Sequence, residues 1–107
     1  MDTIFDQNAD IEALVQNKRP SKNSIHNGYR PAFKIKEDYL TSGEIRFKTI
    51  TELKYGEEAL AEIRFITPEY YGACLYEGQI LVFSEGSIVH GHAKIMKIHN
   101  KSLEKVI

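Results

Sequence analysis

Apolar and polar residues alternate with a period of two along most of the chain after Tyr29. Successive side chains of a β-strand point to opposite faces of a sheet, so this alternation indicates strands that bury one face and expose the other. The longest alternation lies between residues 58 and 65, where the apolar positions are Ala59, Ala61, Ile63 and Phe65. Helical periodicity is weak over the same region, and the pattern therefore predicts an all-β protein.

Four more strands are predicted at 29–36, 44–48, 79–84 and 88–98. The segment Thr41–Gly43 has the composition of a turn between the first two, and Gly86 suits a tight turn between the last two, which should form a hairpin. Pro68 is expected to end the strand at 58–65, because proline lacks the N–H that a sheet ladder requires. Residues 1–24 are compatible with either a strand or a helical face.

Length and composition indicate one folded unit inside a reducing compartment. The chain has 107 residues, which suits one domain, and 42% of them are hydrophobic. Cys74 is the single cysteine, so no internal disulfide can form, and this favours a cytoplasmic protein. We expect neither a signal peptide nor a membrane span from this sequence. Lys and Arg total 14 against 15 for Asp and Glu, so any attraction to nucleic acid must come from a local patch.

Short strands joined by glycine-containing turns, without a long crossover helix, predict antiparallel pairing in a barrel or a sandwich. Several segments are also similar, in order and spacing, to those of a known domain. They are Gly28-Tyr29-Arg30-Pro31-Ala32-Phe33, Ser42-Gly43-Glu44-Ile45, Leu53-Lys54-Tyr55-Gly56-Glu57, Ile63-Arg64-Phe65-Ile66-Thr67-Pro68, Gly78-Gln79-Ile80-Leu81-Val82-Phe83 and Glu85-Gly86-Ser87-Ile88-Val89. Through these segments the chain resembles the C-terminal β-barrel domain of bacterial elongation factor Tu.

The resemblance implies a closed six-stranded antiparallel barrel of the translation-factor C-terminal type. On this basis the barrel domain is expected at residues 10–99, between an N-terminal tail at 1–9 and a C-terminal tail at 100–107, and its first strand at 10–17. In the full-length factor this domain helps to hold aminoacyl-tRNA and the nucleotide-exchange factor. Two departures weaken the transfer of tRNA binding: Ala32 replaces a polar glutamine of the family, and His90 and His92 flank Gly91 where the family has small residues.

The resemblance therefore implies a non-enzymatic binding module, without a nucleotide, that contacts a protein or RNA partner linked to translation in the bacterial cytoplasm. The chain has no G-x-x-x-x-G-K-[ST] loop for GTP. An alternative is a small cytoplasmic immunity or inhibitor protein that blocks a toxin or enzyme. Both interpretations need a contact surface rather than a catalytic centre.

Two sets of residues are predicted to make contacts. The first is a basic stripe on two neighbouring strands, which would bind RNA phosphates. Tyr39 or Tyr55 nearby could stack on a base or ribose. The members of the stripe are Arg30, Lys34, Lys36, Arg46 and Lys48. An ordinary charged exterior is the alternative for these residues. A tyrosine-rich loop with Tyr70, Tyr71 and Tyr76 would contact a protein, or else close one mouth of the barrel.

No catalytic, cofactor or metal site is predicted. His90 and His92 should project from one face of a strand, where His26 or Glu85 would be needed as a third metal ligand, and solvated histidines are the favoured interpretation. Cys74 has no cationic neighbour in sequence to lower its thiol pKa, so it is expected to be a partly buried apolar residue. Carboxylates such as Glu58 and Glu62 are expected on a solvated strand face.

Overall fold

The computed structural model describes residues 9–36, 39–66 and 73–105. These residues form eight strands and one short 3-10 helix at Lys101–Leu103. The strands are β1 Ile11–Asn17, β2 Ile25–His26, β3 Ala32–Lys36, β4 Tyr39–Phe47, β5 Glu52–Leu53, β6 Glu58–Phe65, β7 Ile80–Glu85 and β8 Ile88–Ile98.

Six of the strands close into an antiparallel barrel in the order β1-β6-β4-β3-β7-β8, and β8 pairs again with β1. The predicted all-β fold, a closed six-stranded antiparallel barrel, is confirmed. Closure leaves no open sheet edge in the barrel. The two short strands β2 and β5 pair separately with each other; the alternation pattern did not predict them because each has only two residues.

Strand β1 closes the barrel, and its side chains alternate between buried and half-buried along its whole length. Ile11, Ala13 and Val15 are fully buried. The same strand pairs with β6 on one side, where Ala13 faces Ala61, and with β8 on the other, where Val15 faces Ala93. The sequence pattern was compatible with a strand or a helix in this region. The structure has a strand, as the resemblance led us to expect.

The predicted turn at Thr41–Gly43 is wrong, because these residues lie inside β4. Gly43 faces Phe65 on β6, and a Cβ atom at Gly43 would stand 2.8 Å from Cε2 of the Phe33 ring. The glycine is therefore needed for close packing rather than for a turn. A sequence pattern does not separate these two uses of glycine, since both favour a residue without a side chain.

Three phenylalanine rings lie at the centre of the core. The ring of Phe33 is fully buried and stands 5.6 Å from that of Phe65 in an edge-to-face arrangement and 5.5 Å from that of Phe83. Aromatic pairs at such separations add to the free energy gained from burial alone. The core is therefore fixed by rings from β3, β6 and β7, which are three of the barrel strands.

The segment after β8, predicted as a C-terminal tail, is folded against the barrel as far as residue 105. Leu103 is 1% exposed within the core cluster, and Leu75 and Glu104 form a parallel bridge. Asn100 donates from its Nδ2 to Oδ1 of Asp10 over 2.9 Å, which ties this segment to the start of β1. Of the predicted N-terminal tail, residues 1–8 lie outside the described residues, and Ala9 is buried.

Candidate functional site: a basic and apolar face of the barrel

The basic residues of the predicted stripe divide into paired and unpaired groups. Lys34 and Lys36 on β3 are exposed, and neither makes an ion pair with any residue in the ranges 9–36, 39–66 and 73–105. Their positive charges are therefore not neutralised by any carboxylate of the described residues.

Arg30 and Arg46, by contrast, share one buried carboxylate. Glu44 is 5% exposed, although alternation placed it on the outer side of its strand. Its oxygens lie 3.0 Å from Nη2 of Arg46, 3.6 Å from that of Arg30 and 3.8 Å from that of Arg64. Basic side chains that are paired with a carboxylate attract phosphates less strongly than unpaired basic side chains do.

Lys48 is also engaged, since its ammonium lies 3.1 Å from Oε2 of Glu12 and 3.9 Å from Oε2 of Glu62. Glu62 was expected on a solvated face, but it is only 8% exposed, so this expectation is wrong. The outer face of β1, β6 and β4 is a network of opposite charges, and that network covers Glu62.

The register of the barrel sets Lys34 and Arg46 apart, although β3 and β4 are neighbours as the predicted stripe requires. Lys34 faces Leu40 on β4, whereas Arg46 lies six residues further along the same strand. At the usual rise of a strand, this is about 20 Å. The prediction assumed that neighbouring basic strands lie side by side with their charged positions aligned, and alternation alone does not fix register.

The other neighbour of β3 is β7, and this pairing creates a different surface. Ala32 faces Ser84 and Phe33 faces Phe83. Lys34 is the next residue of β3, and Val82 is the residue of β7 that precedes Phe83. Val82 in turn faces His92 on β8, and Ile80 faces Lys94. We call this surface the basic–apolar face, and its members are Lys34, Lys36, Ile80, Val82, His92 and Lys94.

The basic–apolar face combines free lysines with exposed aliphatic side chains. Ile80 is 59% exposed and Val82 is 38% exposed, and Leu40 at 56% extends the apolar part onto β4. Lys94 is exposed and, like Lys34, makes no ion pair within the part of the chain that the structure describes. No acidic residue belongs to this set, so an acidic partner with apolar groups would match it in charge and hydrophobicity.

The predicted tyrosine surface is only partly within the described residues. Tyr70 and Tyr71 lie outside them, whereas Tyr76 is 49% exposed and has the ammonium of Lys105 at 5.7 Å from its ring centre. Of the two tyrosines suggested for base stacking, Tyr39 packs against the core and Tyr55 is 48% exposed. Neither is a member of the basic–apolar face.

An open groove of about 620 Å³ lies elsewhere on the barrel, beside Ile50, Leu53 and Leu60. Glu57, Glu58 and Lys48 also line it. The groove therefore brings apolar residues next to charged groups of both signs, unlike the basic–apolar face.

One cluster that alternation did not reveal joins the loop after β1 to the β7–β8 hairpin. Oε2 of Glu85 accepts a 2.6 Å hydrogen bond from the Tyr29 hydroxyl, and Nη2 of Arg19 lies 3.3 Å from the same oxygen. Nδ1 of His90 lies 3.5 Å from that oxygen and 3.3 Å from Nε of Arg19. The guanidinium of Arg19 also stands 5.2 Å from the centre of the Tyr29 ring.

His90 is therefore not the solvated histidine that was expected, because it is 8% exposed. A β-bulge between Phe83 and Ser84 leaves His90 without a facing residue on β7, and Arg19 and Glu85 lie against its ring. Of the two residues named as a third ligand, Glu85 lies 3.5 Å from Nδ1 of His90, whereas His26 lies on β2 and faces Glu52. His92 is half-buried on the basic–apolar face.

Burial raises the pKa of Tyr29 above its ordinary value, and the hydrogen bond and negative charge of Glu85 raise it further. The folded protein therefore holds this proton more tightly than the unfolded chain, whose tyrosines titrate near pH 10. We expect the free energy of unfolding to fall as the pH rises above about 10, and to fall less in Tyr29→Phe. Urea titrations at a series of alkaline pH values measure this, and an equal fall in both proteins would contradict it.

A second cluster brings together Glu12, Glu62 and His99, whose potential ligand atoms all lie within 4.8 Å of one another. Nε2 of His99 is 3.0 Å from Oε2 of Glu12. Burial alone would raise the pKa of Glu12, but hydrogen bonds and charges from Lys48 and His99 outweigh burial and hold this pKa below its ordinary value. Sequence reasoning missed this cluster because its members are far apart in the chain.

No protein-family model matches this chain, and no match to a curated protein was found. Among the described residues, no helix is long and apolar enough to cross a membrane. The geometry of the surface is therefore the main guide to function.

Cys74 is half-buried and packs against the core, as expected. Burial raises the pKa of its thiol, and the charge of Lys36 opposes this shift without reversing it. A thiol with a raised pKa forms less of the reactive thiolate at neutral pH, which does not suit a nucleophile.

Proposed function

We propose that this chain is a non-enzymatic binding module, similar to the C-terminal domain of elongation factor Tu, that contacts a protein partner through the basic–apolar face. The observation that carries this proposal is the contrast between two groups of basic residues. Arg30, Arg46 and Lys48 are engaged by carboxylates. Within the described ranges, Lys34 and Lys94 are exposed and make no ion pair, and Lys94 faces the exposed Ile80 across the β7–β8 pairing. The link to translation rests on the resemblance of the sequence segments.

The chemistry of the face favours an acidic, apolar protein surface over RNA. Proteins that hold single-stranded RNA stack its bases on aromatic rings or on arginine. The one aromatic ring of the face is the half-buried imidazole of His92, and its other five members are lysines and aliphatic side chains. Ile80 and Val82 would be buried against an apolar group of the partner, while the lysines would meet its carboxylates. An inhibitor of another protein would use the same kind of surface.

A random peptide library displayed on phage tests the proposal, because the face itself then selects the sequences that bind it. We expect selected peptides to combine Asp or Glu with large apolar residues. Their affinity should fall at least about tenfold when Lys34 and Lys94 are both changed to Glu, because like charges then face each other. The matched control changes Lys22 and Lys54 to Glu, which alters the net charge equally at exposed positions outside the face.

Two outcomes would overturn the proposal. In the first, the control pair weakens peptide binding as much as the Lys34 and Lys94 pair, which would show a general effect of charge. In the second, mixed-sequence single-stranded RNA binds more tightly than any selected peptide, depends on Lys34 and Lys94, and weakens steeply as salt rises. That result would assign the face to RNA.

A further inference from the structure

We propose that Glu12, Glu62 and His99 form a binding site for a divalent transition metal ion, with Zn²⁺ as the best fit. The residues lie on β1, on β6 and immediately after β8, three neighbouring segments of the barrel wall. Glu12 faces Glu62 directly across the β1–β6 pairing, and Nε2 of His99 lies 3.0 Å from Oε2 of Glu12. This site shares no residue with the basic–apolar face and does not depend on the function proposed for it.

The burial of Glu62 is an independent sign that a cation belongs here. Glu62 is 8% exposed, and its Oε1 atom has no hydrogen-bond partner among the described residues. A buried carboxylate oxygen without a partner costs free energy, and a bound ion is one of the few explanations for such an atom in a folded protein. A metal ion between the two glutamates would give this oxygen a ligand bond.

Lys48 already acts as a cation in this cluster. Its ammonium lies 3.1 Å from Glu12 and 3.9 Å from Glu62, and its side chain is 38% exposed. A divalent ion held by both carboxylates would replace this ammonium, and the lysine side chain is exposed enough to turn toward solvent when the ion enters.

The types of ligand atom favour zinc over magnesium and calcium. One imidazole nitrogen and two carboxylates are ligands that Zn²⁺ accepts, at about 2.0–2.2 Å from the ion. Mg²⁺ and Ca²⁺ prefer oxygen ligands alone. The ligand atoms now spread over as much as 4.8 Å, so zinc would draw the three side chains slightly closer. Three protein ligands leave the fourth tetrahedral position for water.

Isothermal titration of the untagged full chain with zinc chloride at neutral pH tests the site. We expect one Zn²⁺ ion per chain, with affinity at least about tenfold lower in Glu62→Gln and in His99→Gln. Glu58→Gln and His26→Gln are matched controls, because both residues are exposed and lie outside the cluster, and they should bind zinc as the parent does. Lys48→Met should bind zinc more tightly, since it removes the competing ammonium.

Magnesium chloride in excess should not compete with zinc. The proposal is overturned if the parent chain binds zinc no more tightly than Glu62→Gln and His99→Gln do, or if Lys48→Met weakens binding. Circular dichroism shows whether each variant is folded. Should Glu62→Gln fail to fold, His99→Gln still decides, because the His99 side chain is 30% exposed and its loss leaves the core intact.

Discussion

Phe33→Ala is expected to lower the free energy of unfolding by about 3–5 kcal/mol, the usual cost of removing a buried phenylalanine ring. Phe33 is fully buried, and its ring contacts those of Phe65 and Phe83 from two other barrel strands. The variant loses the transfer free energy of the ring, its aromatic contacts, and the packing of the atoms around the resulting cavity. For a domain of this size the loss should lower the melting temperature by more than about 12 °C.

Thermal and urea unfolding of three variants measure this effect. Phe33→Leu keeps most of the volume and should lose much less stability than Phe33→Ala. Lys34→Ala, at the next residue but on the exposed side of β3, should change stability by less than about 0.5 kcal/mol. Equal losses in Phe33→Ala and Lys34→Ala would show that the inward and outward sides of β3 are wrongly assigned.

Among substitutions that add a single methyl group, we expect Gly91→Ala to lower the free energy of unfolding most, because strands β1, β7 and β8 approach closely at this residue. A Cβ atom there would stand 2.3 Å from the carbonyl oxygen of Gln16 and 2.5 Å from Cζ of Phe83. A carbonyl oxygen in a sheet ladder cannot move aside without breaking strand pairing. Overpacking of this kind costs about 1–3 kcal/mol and sometimes more, and we expect the upper part of this range.

Gly43→Ala and Ser42→Ala give graded controls for this prediction. At Gly43 the nearest atoms belong to the Phe33 side chain rather than to backbone, so some adjustment is available and the loss should be smaller. Ser42 is exposed and should tolerate alanine. If chemical denaturation ranked Gly91→Ala as no less stable than Ser42→Ala, the close approach of β8 to β1 would be refuted.

The fold could be predicted largely because alternation records which side of a strand is buried. Ala61, Ile63 and Phe65 face the core as their spacing indicates, and the β7–β8 hairpin turns at Gly86. The beginning of β4 was missed because Thr41–Gly43 has the composition of a turn, whereas its glycine serves close packing against Phe33.

The binding surface was harder to predict, because it depends on register and on contacts between distant residues. Alternation placed Lys34 and Arg46 on outer faces of their strands, but only the pairing of Lys34 with Leu40 shows that they lie far apart. Lys94 lies on β8, which β7 separates from β3. No local sequence pattern shows that Lys94 and Lys34 belong to the same surface. Register over a closed barrel is a global property of the fold.

Burial of charged groups was also missed. Glu44 and Glu62 lie on the outer side of their strands, yet Arg64 and Lys48 help to cover them. Lysine and arginine carry long apolar stems that shield neighbouring groups while their charged ends reach carboxylates. A period of two separates inside from outside, but it cannot show which outer side chains are covered by their neighbours.

Mapping of a selected peptide by nuclear magnetic resonance tests the central claim most directly. During titration of the isotope-labelled chain, the amide signals of Lys34, Val82 and Lys94 and the methyl signals of Ile80 should shift together and saturate at one peptide per chain. Signals around the groove at Ile50 and Leu53 should stay in place. Saturating shifts confined to the groove, or to Tyr55 and Tyr76, would contradict the account, because binding would then avoid the basic–apolar face.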